Sequence, residues 1–129
     1  MSKQELRTDG APAKVGAYSQ GLRVGDFIFV AGQVGRDPVT TELAEGIEAQ
    51  TARTIENIAA ILAEGGATLA DVVKSTVHLK DMTLFRQFDQ VYESYFPDPK
   101  PVRTTVGSFL PKALVEIDVI AYAPQGPAK

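Results

Sequence analysis

The chain has 129 residues, of which 44% are hydrophobic and 22% charged, and it carries a net charge of −3. That length suits a single domain over 1–129 with its own core, and no apolar run approaches the ~20 residues that a membrane span needs. The absence of cysteine excludes disulfides, thiolate nucleophiles, thiolate-held metals and iron–sulfur clusters, and the acidic balance weighs against nucleic acid as the main partner.

Residues 1–14 are polar and include Gly10 and Pro12, which predicts a flexible or loosely docked arm. The first residues form no apolar signal segment, so the expected compartment is the cytoplasm. Gly25-Asp26 separates Gly21–Val24 from an apolar run starting at Phe27, a hairpin signal. The second run is apolar at both parities, with Phe27 and Phe29 on one face and Ile28 and Val30 on the other, so both faces should be covered. Gly32 inside it points to a bulge or to close approach by a ligand or another backbone. From Ile47 the period becomes helical: Ile47, Thr51, Ile55, Ile58 and Leu62 form a stripe, and Gly65-Gly66 ends it. Thr68 and Asp71 fit a capped turn before a strand, Val72 to Lys80, that alternates with Val73, Ser75, Val77 and Leu79 on one face. A second helix starts at Asp81-Met82-Thr83, buries Phe85, Phe88 and Tyr92, and stops at Pro97 and Pro99.

Two closing strands follow, joined by a short loop: one opens with Arg103 among β-branched residues, and the other runs Leu114 to Tyr122. In the last strand Val115, Ile117, Val119 and Ala121 form a core face, which leaves Glu116 and Asp118 on the other. The order ββαβαββ predicts an α+β two-layer sandwich, a mixed sheet with both helices on one face. Its second face would be apolar and bare, a cost best removed by packing sheets together in a homo-oligomer with clefts between subunits.

His78, the one histidine, sits mid-strand with no nucleophile elbow in the sequence, and is expected to be an ordinary sheet residue. One histidine without cysteine supplies no zinc ligand set, and the glycines match neither a dinucleotide fingerprint nor a phosphate loop, so neither metal nor cofactor is expected. Arg103, Glu116, Tyr18 and the Gly32 backbone remain as site candidates. Arginine can grip a carboxylate with two parallel hydrogen bonds, and a carboxylate can take a proton from water. The structural alternative for Arg103 is an ion pair with Glu116 or Asp118.

Gly16-Ala17-Tyr18-Ser19-Gln20, Val30-Ala31-Gly32-Gln33-Val34, Val73-Lys74-Ser75-Thr76-Val77, Pro101-Val102-Arg103-Thr104-Thr105-Val106 and Leu110-Pro111-Lys112 through Ile117 stand in this order. Together they resemble the RidA (YjgF-like) reactive intermediate deaminase family across nearly the whole chain. The resemblance implies a chorismate-mutase-like fold and a homotrimer whose sheets form a central barrel, with active sites in the subunit clefts. It also implies cofactor-free hydrolysis of enamine and imine acids, such as 2-aminoacrylate and its imine tautomer, to 2-oxo acids and ammonia. Arg103 then matches the carboxylate-binding arginine, Glu116 the water-activating glutamate, and Tyr18 and the Gly32 backbone the cleft lining. The chain departs from the pattern at Thr105, where cysteine is frequent, at Ala31, where serine is frequent, and in a shorter loop from Lys112 to Glu116; the last two bear on substrate range. The family also includes members assigned to pyrimidine or aminomuconate catabolism, ligand binding or RNA cleavage. The rivals to a deaminase are therefore a carboxylate-binding trimer without turnover and an RNA-directed protein, the latter disfavoured by charge.

Overall fold

In the computed structural model, which describes residues 2–125, the elements run β1 (Lys3–Leu6), β2 (Gly21–Val24), β3 (Phe27–Gln33), α1 (Gly46–Glu64), β4 (Val72–Leu79), α2 (Phe85–Tyr95), β5 (Val102–Gly107) and β6 (Val115–Tyr122). Met1 and residues 126–129 of the expected domain span lie outside the described residues. The strands form one mixed sheet in the order β1-β2-β3-β6-β4-β5, antiparallel except for the β4–β5 pair. Both helices pack on one face, giving the α+β two-layer architecture that the alternation of periods predicts.

Gly25, at φ 60°, makes the two-residue turn between β2 and β3 that the Gly-Asp pair signals. The stripe of α1 is buried as read, and three polar residues join it for a reason. Gln50 Nε2 donates to Ala44 O while its Oε1 accepts from Leu114 N, and Asn57 Nδ2 donates to the carbonyls of Val34 and Arg36. Thr54 Oγ1 donates to the Gln50 carbonyl within the helix. Gln50 and Asn57 thus fix the two loops that flank β3 and β6. Thr68 and Asp71 form the expected capping box, and Asp81 caps the turn leading into α2 by accepting from Thr83 N.

Two expectations are corrected. The polar N-terminal segment is not a loose arm throughout: Lys3–Leu6 pairs with β2 as an edge strand. Only Leu6 of that strand is buried, so its sequence has no apolar alternation to read, and its outward polar side chains suit an edge. Gln20 then ties down residues 8–12, accepting from Thr8 N and donating to Pro12 O. Val73 does not share a face with Ser75: a register shift between Val72 and Lys74 buries Val72 and turns Val73 outward, because an extra residue in one strand reverses the parity beyond it. The two closing strands, joined by a loop, do not pair with each other: β6 pairs with β3 and β4 while β5 pairs only with β4. The second face of β3 is apolar and bare in the single chain, as the placement of both helices on one face predicts: Phe27 and Phe29 are each 43% exposed and Tyr122 46%.

Candidate active site

The parity of β4, β5 and β6 decides which candidate residues can meet. Ser75 is opposite both Arg103 and Val119, so Arg103 projects on the helix face; His78 is opposite both Glu116 and Val106, so Glu116 projects on the open face. Arg103 and Glu116 of one chain therefore lie on opposite sides of the sheet, with β4 between their strands. Neither Glu116 nor Asp118 is the ion-pair partner of Arg103.

That partner is Asp89 on α2, whose Oδ1 accepts from Arg103 Nη1 at 2.7 Å. The guanidinium carbon also lies 4.7 Å from the Tyr92 ring centre, 5.4 Å from that of Phe85 and 5.5 Å from that of Phe88. Three aromatic rings and one carboxylate thus hold the group, an arrangement suited to arginine because its planar cation stacks. Among the described residues only Nη1 is hydrogen-bonded, so the remaining N–H groups stay available. Arg103 lines a depression with Asp89, Tyr92, Glu93, Lys100 and Pro101. Tyr92 Oη and Ser75 Oγ, 2.6 Å apart, anchor the same wall; burial raises the Tyr92 phenol, opposed by its bond to Ser75 and by the Arg103 charge. Sequence reading missed Asp89. Its signal was available, since a charge between Phe88 and Tyr92 falls on the apolar stripe of α2.

On the open face, Glu116 lies against Gly32. A Cβ built on Gly32 would stand 3.0 Å from Glu116 Oε2 and 3.1 Å from its Cδ, so the bare backbone makes room for the carboxylate. The register shift between Val30 and Gln33 on β3 forms the expected bulge at this position. The group that approaches Gly32 is the Glu116 side chain. Tyr18 is 45% exposed, accepts a hydrogen bond from Val15 N, and shares a shallow concavity with Gly32, Lys14, Gln20 and Arg36. Gly32 thus lies against Glu116 and shares a concavity with Tyr18, while Arg103 is held on the other face.

On the other side of Glu116 stands His78, with Ser108 Oγ 2.7 Å from its Nδ1. Sequence reading gave this histidine no partner, because Ser108 lies 30 residues away in the loop after β5. Asp118 and Lys74 complete this polar strip. Burial pushes the Asp118 carboxyl upward, and the nearby His78 and Lys74 oppose that. Among the described residues no group of three or more His, Asp or Glu side chains could hold a metal ion, and no helix is long and apolar enough to cross a membrane.

Comparison with known proteins agrees with this architecture. A RutC family protein of Pyrococcus abyssi is 52% identical over 125 residues, covering 95% of this chain and 98% of its own. The chloroplastic Reactive Intermediate Deaminase A of Arabidopsis thaliana is 36% identical over 124 residues, covering 94% of this chain and 66% of the relative. The crystal structure of Escherichia coli TdcF with bound serine superposes with a TM-score of 0.89 at 31% identity, covering 92% of this chain and 98% of that one. A family model described as Endoribonuclease L-PSP matches residues 8–123. With that match over most of its length, the chain belongs to the RidA (YjgF-like) family.

Proposed function

We propose that this protein is a cofactor-independent deaminase that hydrolyses small imine and enamine acids, of the 2-iminopropanoate and 2-aminoacrylate type, to 2-oxo acids and ammonia. The carrying observation is a half-used guanidinium: Arg103 is held by Asp89 and three rings, yet among the described residues its other N–H groups have no partner and lie beside a depression. That arrangement suits a two-pronged grip on a carboxylate. The name of the chloroplastic relative and the serine in the related crystal structure support the chemistry and the size of the ligand. Glu116, cradled on Gly32, orients a water molecule, takes its proton as the oxygen adds to the imine carbon, and so opens the route to ammonia loss. Tyr18 lines the concavity beside Gly32. Holding an already reactive substrate against water accounts for much of the rate.

Because Arg103 and Glu116 of one chain lie on opposite sheet faces, the substrate must bridge two chains. The open face with Phe27, Phe29, Val73 and Tyr122 supplies the apolar contact for that assembly, which we propose to be a homotrimer. Mixing two inactive variants tests both ideas. Arg103→Lys loses the planar fork and Glu116→Gln loses the base, and each is expected to lower kcat/KM by about tenfold or more. Mixed trimers reassembled from equal amounts of the two chains should regain roughly a quarter of the sites, those in which the parent arginine meets the parent glutamate of a neighbour. No regain in demonstrably mixed trimers would exclude a shared site, and a stable monomer in sedimentation would exclude the assembly. If both variants hydrolyse the imine at the parent rate, the residue roles fall. If the parent binds 2-oxo acids but leaves the imine intact, a carboxylate-binding trimer is the better reading.

A further inference from the structure

Imine hydrolysis moves more protons than one carboxylate can carry at a time. The nitrogen must be protonated twice before it leaves as ammonia, and water must give up both of its protons. We propose, on the reading of this site as an imine deaminase, that His78 is the second proton carrier, serving the leaving nitrogen from the strand beside Glu116.

His78 is directly opposite Glu116 in the β4–β6 ladder, and both project on the open face. Cβ atoms of directly opposed strand residues are about 4.5–5.5 Å apart, within reach of one small substrate. Glu116 is thus flanked by the bare backbone of Gly32 on β3 and by the imidazole on β4. The ring is oriented: Ser108 Oγ lies 2.7 Å from Nδ1, and among the described residues no hydrogen bond occupies Nε2. One nitrogen fixes the ring and the other is left for proton transfer, as a proton carrier requires.

The steps balance. As the water oxygen bonds to the imine carbon, one water proton passes to Glu116 and the imidazolium of His78 gives its Nε2 proton to the nitrogen, forming a neutral carbinolamine. In the second half the protonated Glu116 gives its proton to the same nitrogen, and the carbinolamine O–H proton passes to His78 as the C–N bond breaks and the C=O bond forms. Ammonia leaves, and both groups return to their starting state. Ser108 accepts from Nδ1–H whenever the ring is cationic, which holds the ring in place through the cycle.

A purely structural role would be to tie the loop at Ser108 to β4, and His78→Gln separates the two. Glutamine can keep a hydrogen bond to Ser108 but carries no proton. With 2-iminopropanoate generated in the assay, His78→Gln should lose at least about tenfold in kcat with little change in KM. His78→Ala should regain turnover saturably on addition of imidazole. The parent should show a curved dependence of kcat on deuterium fraction in mixed-isotope water, the sign of two protons in flight, and this measurement needs no variant to fold. Parent-like turnover by His78→Gln, a folded His78→Ala that imidazole does not rescue, or a linear dependence in the parent overturns the assignment. If Glu116→Gln is inactive while His78→Gln is not, only this inference falls; if the parent does not hydrolyse the imine, the deaminase reading falls with it.

Discussion

Asp89→Asn probes the ion pair that sequence reading did not foresee. Asparagine keeps the size of the side chain and can still accept from Arg103 Nη1, but it removes the negative charge that offsets the guanidinium. A substrate carboxylate gripped on the free edge of the guanidinium would sit roughly 6.5 Å from the Asp89 carboxylate, given a bidentate geometry. At that separation the repulsion is about 0.6 kcal/mol with the dielectric of water and about 2.6 kcal/mol with the value typical near a protein surface. The Asp89 side chain is 41% exposed and that of Arg103 21%, which places the effect toward the lower limit, at about 1 kcal/mol. The expected outcome is a three- to tenfold tighter dissociation constant for pyruvate, taken as a 2-oxo acid product, with the gain shrinking as salt is raised. Calorimetric titration of parent and variant at two ionic strengths measures it. Weaker binding by a variant with unchanged melting temperature would refute the reasoning, because it would make the Asp89 charge a support for the grip and not a competitor. Unchanged binding would mean that the carboxylate does not sit on Arg103.

Gly32→Ala drives a methyl group into the space of Glu116; because the obstacle is the end of a side chain, the fold should persist while kcat falls by about ten- to a hundredfold, and parent-like kcat would show that the Glu116 position is uncritical. Tyr92→Phe keeps the ring over Arg103 but leaves the fully buried Ser75 hydroxyl without its 2.6 Å partner, at a cost of about 1–3 kcal/mol in denaturant unfolding; a smaller loss would mean that the hydroxyl finds another acceptor. For Asp118, burial raises the folded-state carboxyl above its unfolded value, so its penalty is absent in acid and appears as pH rises through the raised value. Asp118→Asn should therefore raise Tm near neutral pH and give no gain in acid, and equal gains at both would contradict that sign.

Periodicity made most of the elements legible. The α1 stripe, the core face of β6 and the aromatic stripe of α2 follow from spacing, since each buries one face and exposes the other, and Gly25-Asp26 marks its turn by residue type. Lys3–Leu6 escaped because an edge strand held by backbone hydrogen bonds needs no apolar pattern, and Val73 because one inserted residue reverses parity without changing composition. The candidate residues were legible in the sequence, but their arrangement in space was not. Arg103 and Glu116 stood out as charges in strand-forming runs, yet their placement on opposite faces depends on β6 inserting between β3 and β4, a long-range choice that no local window contains. Asp89 and Ser108 complete the surroundings of Arg103 and His78 from 14 and 30 residues away.

The strand order also bears on how the protein is made. β6 is the last of the described strands but central in the sheet, with β3 on one side and β4 on the other. During synthesis, β3 and β4 are complete while the strand that joins them is still inside the ribosome, so each waits with an open apolar edge. A chain stalled or cut before Val115 would lack the central strand of its sheet and could not close its core. Such truncated chains should depend on holding chaperones and be cleared by proteolysis, and protease resistance should appear only once the segment through Tyr122 has emerged from the ribosome.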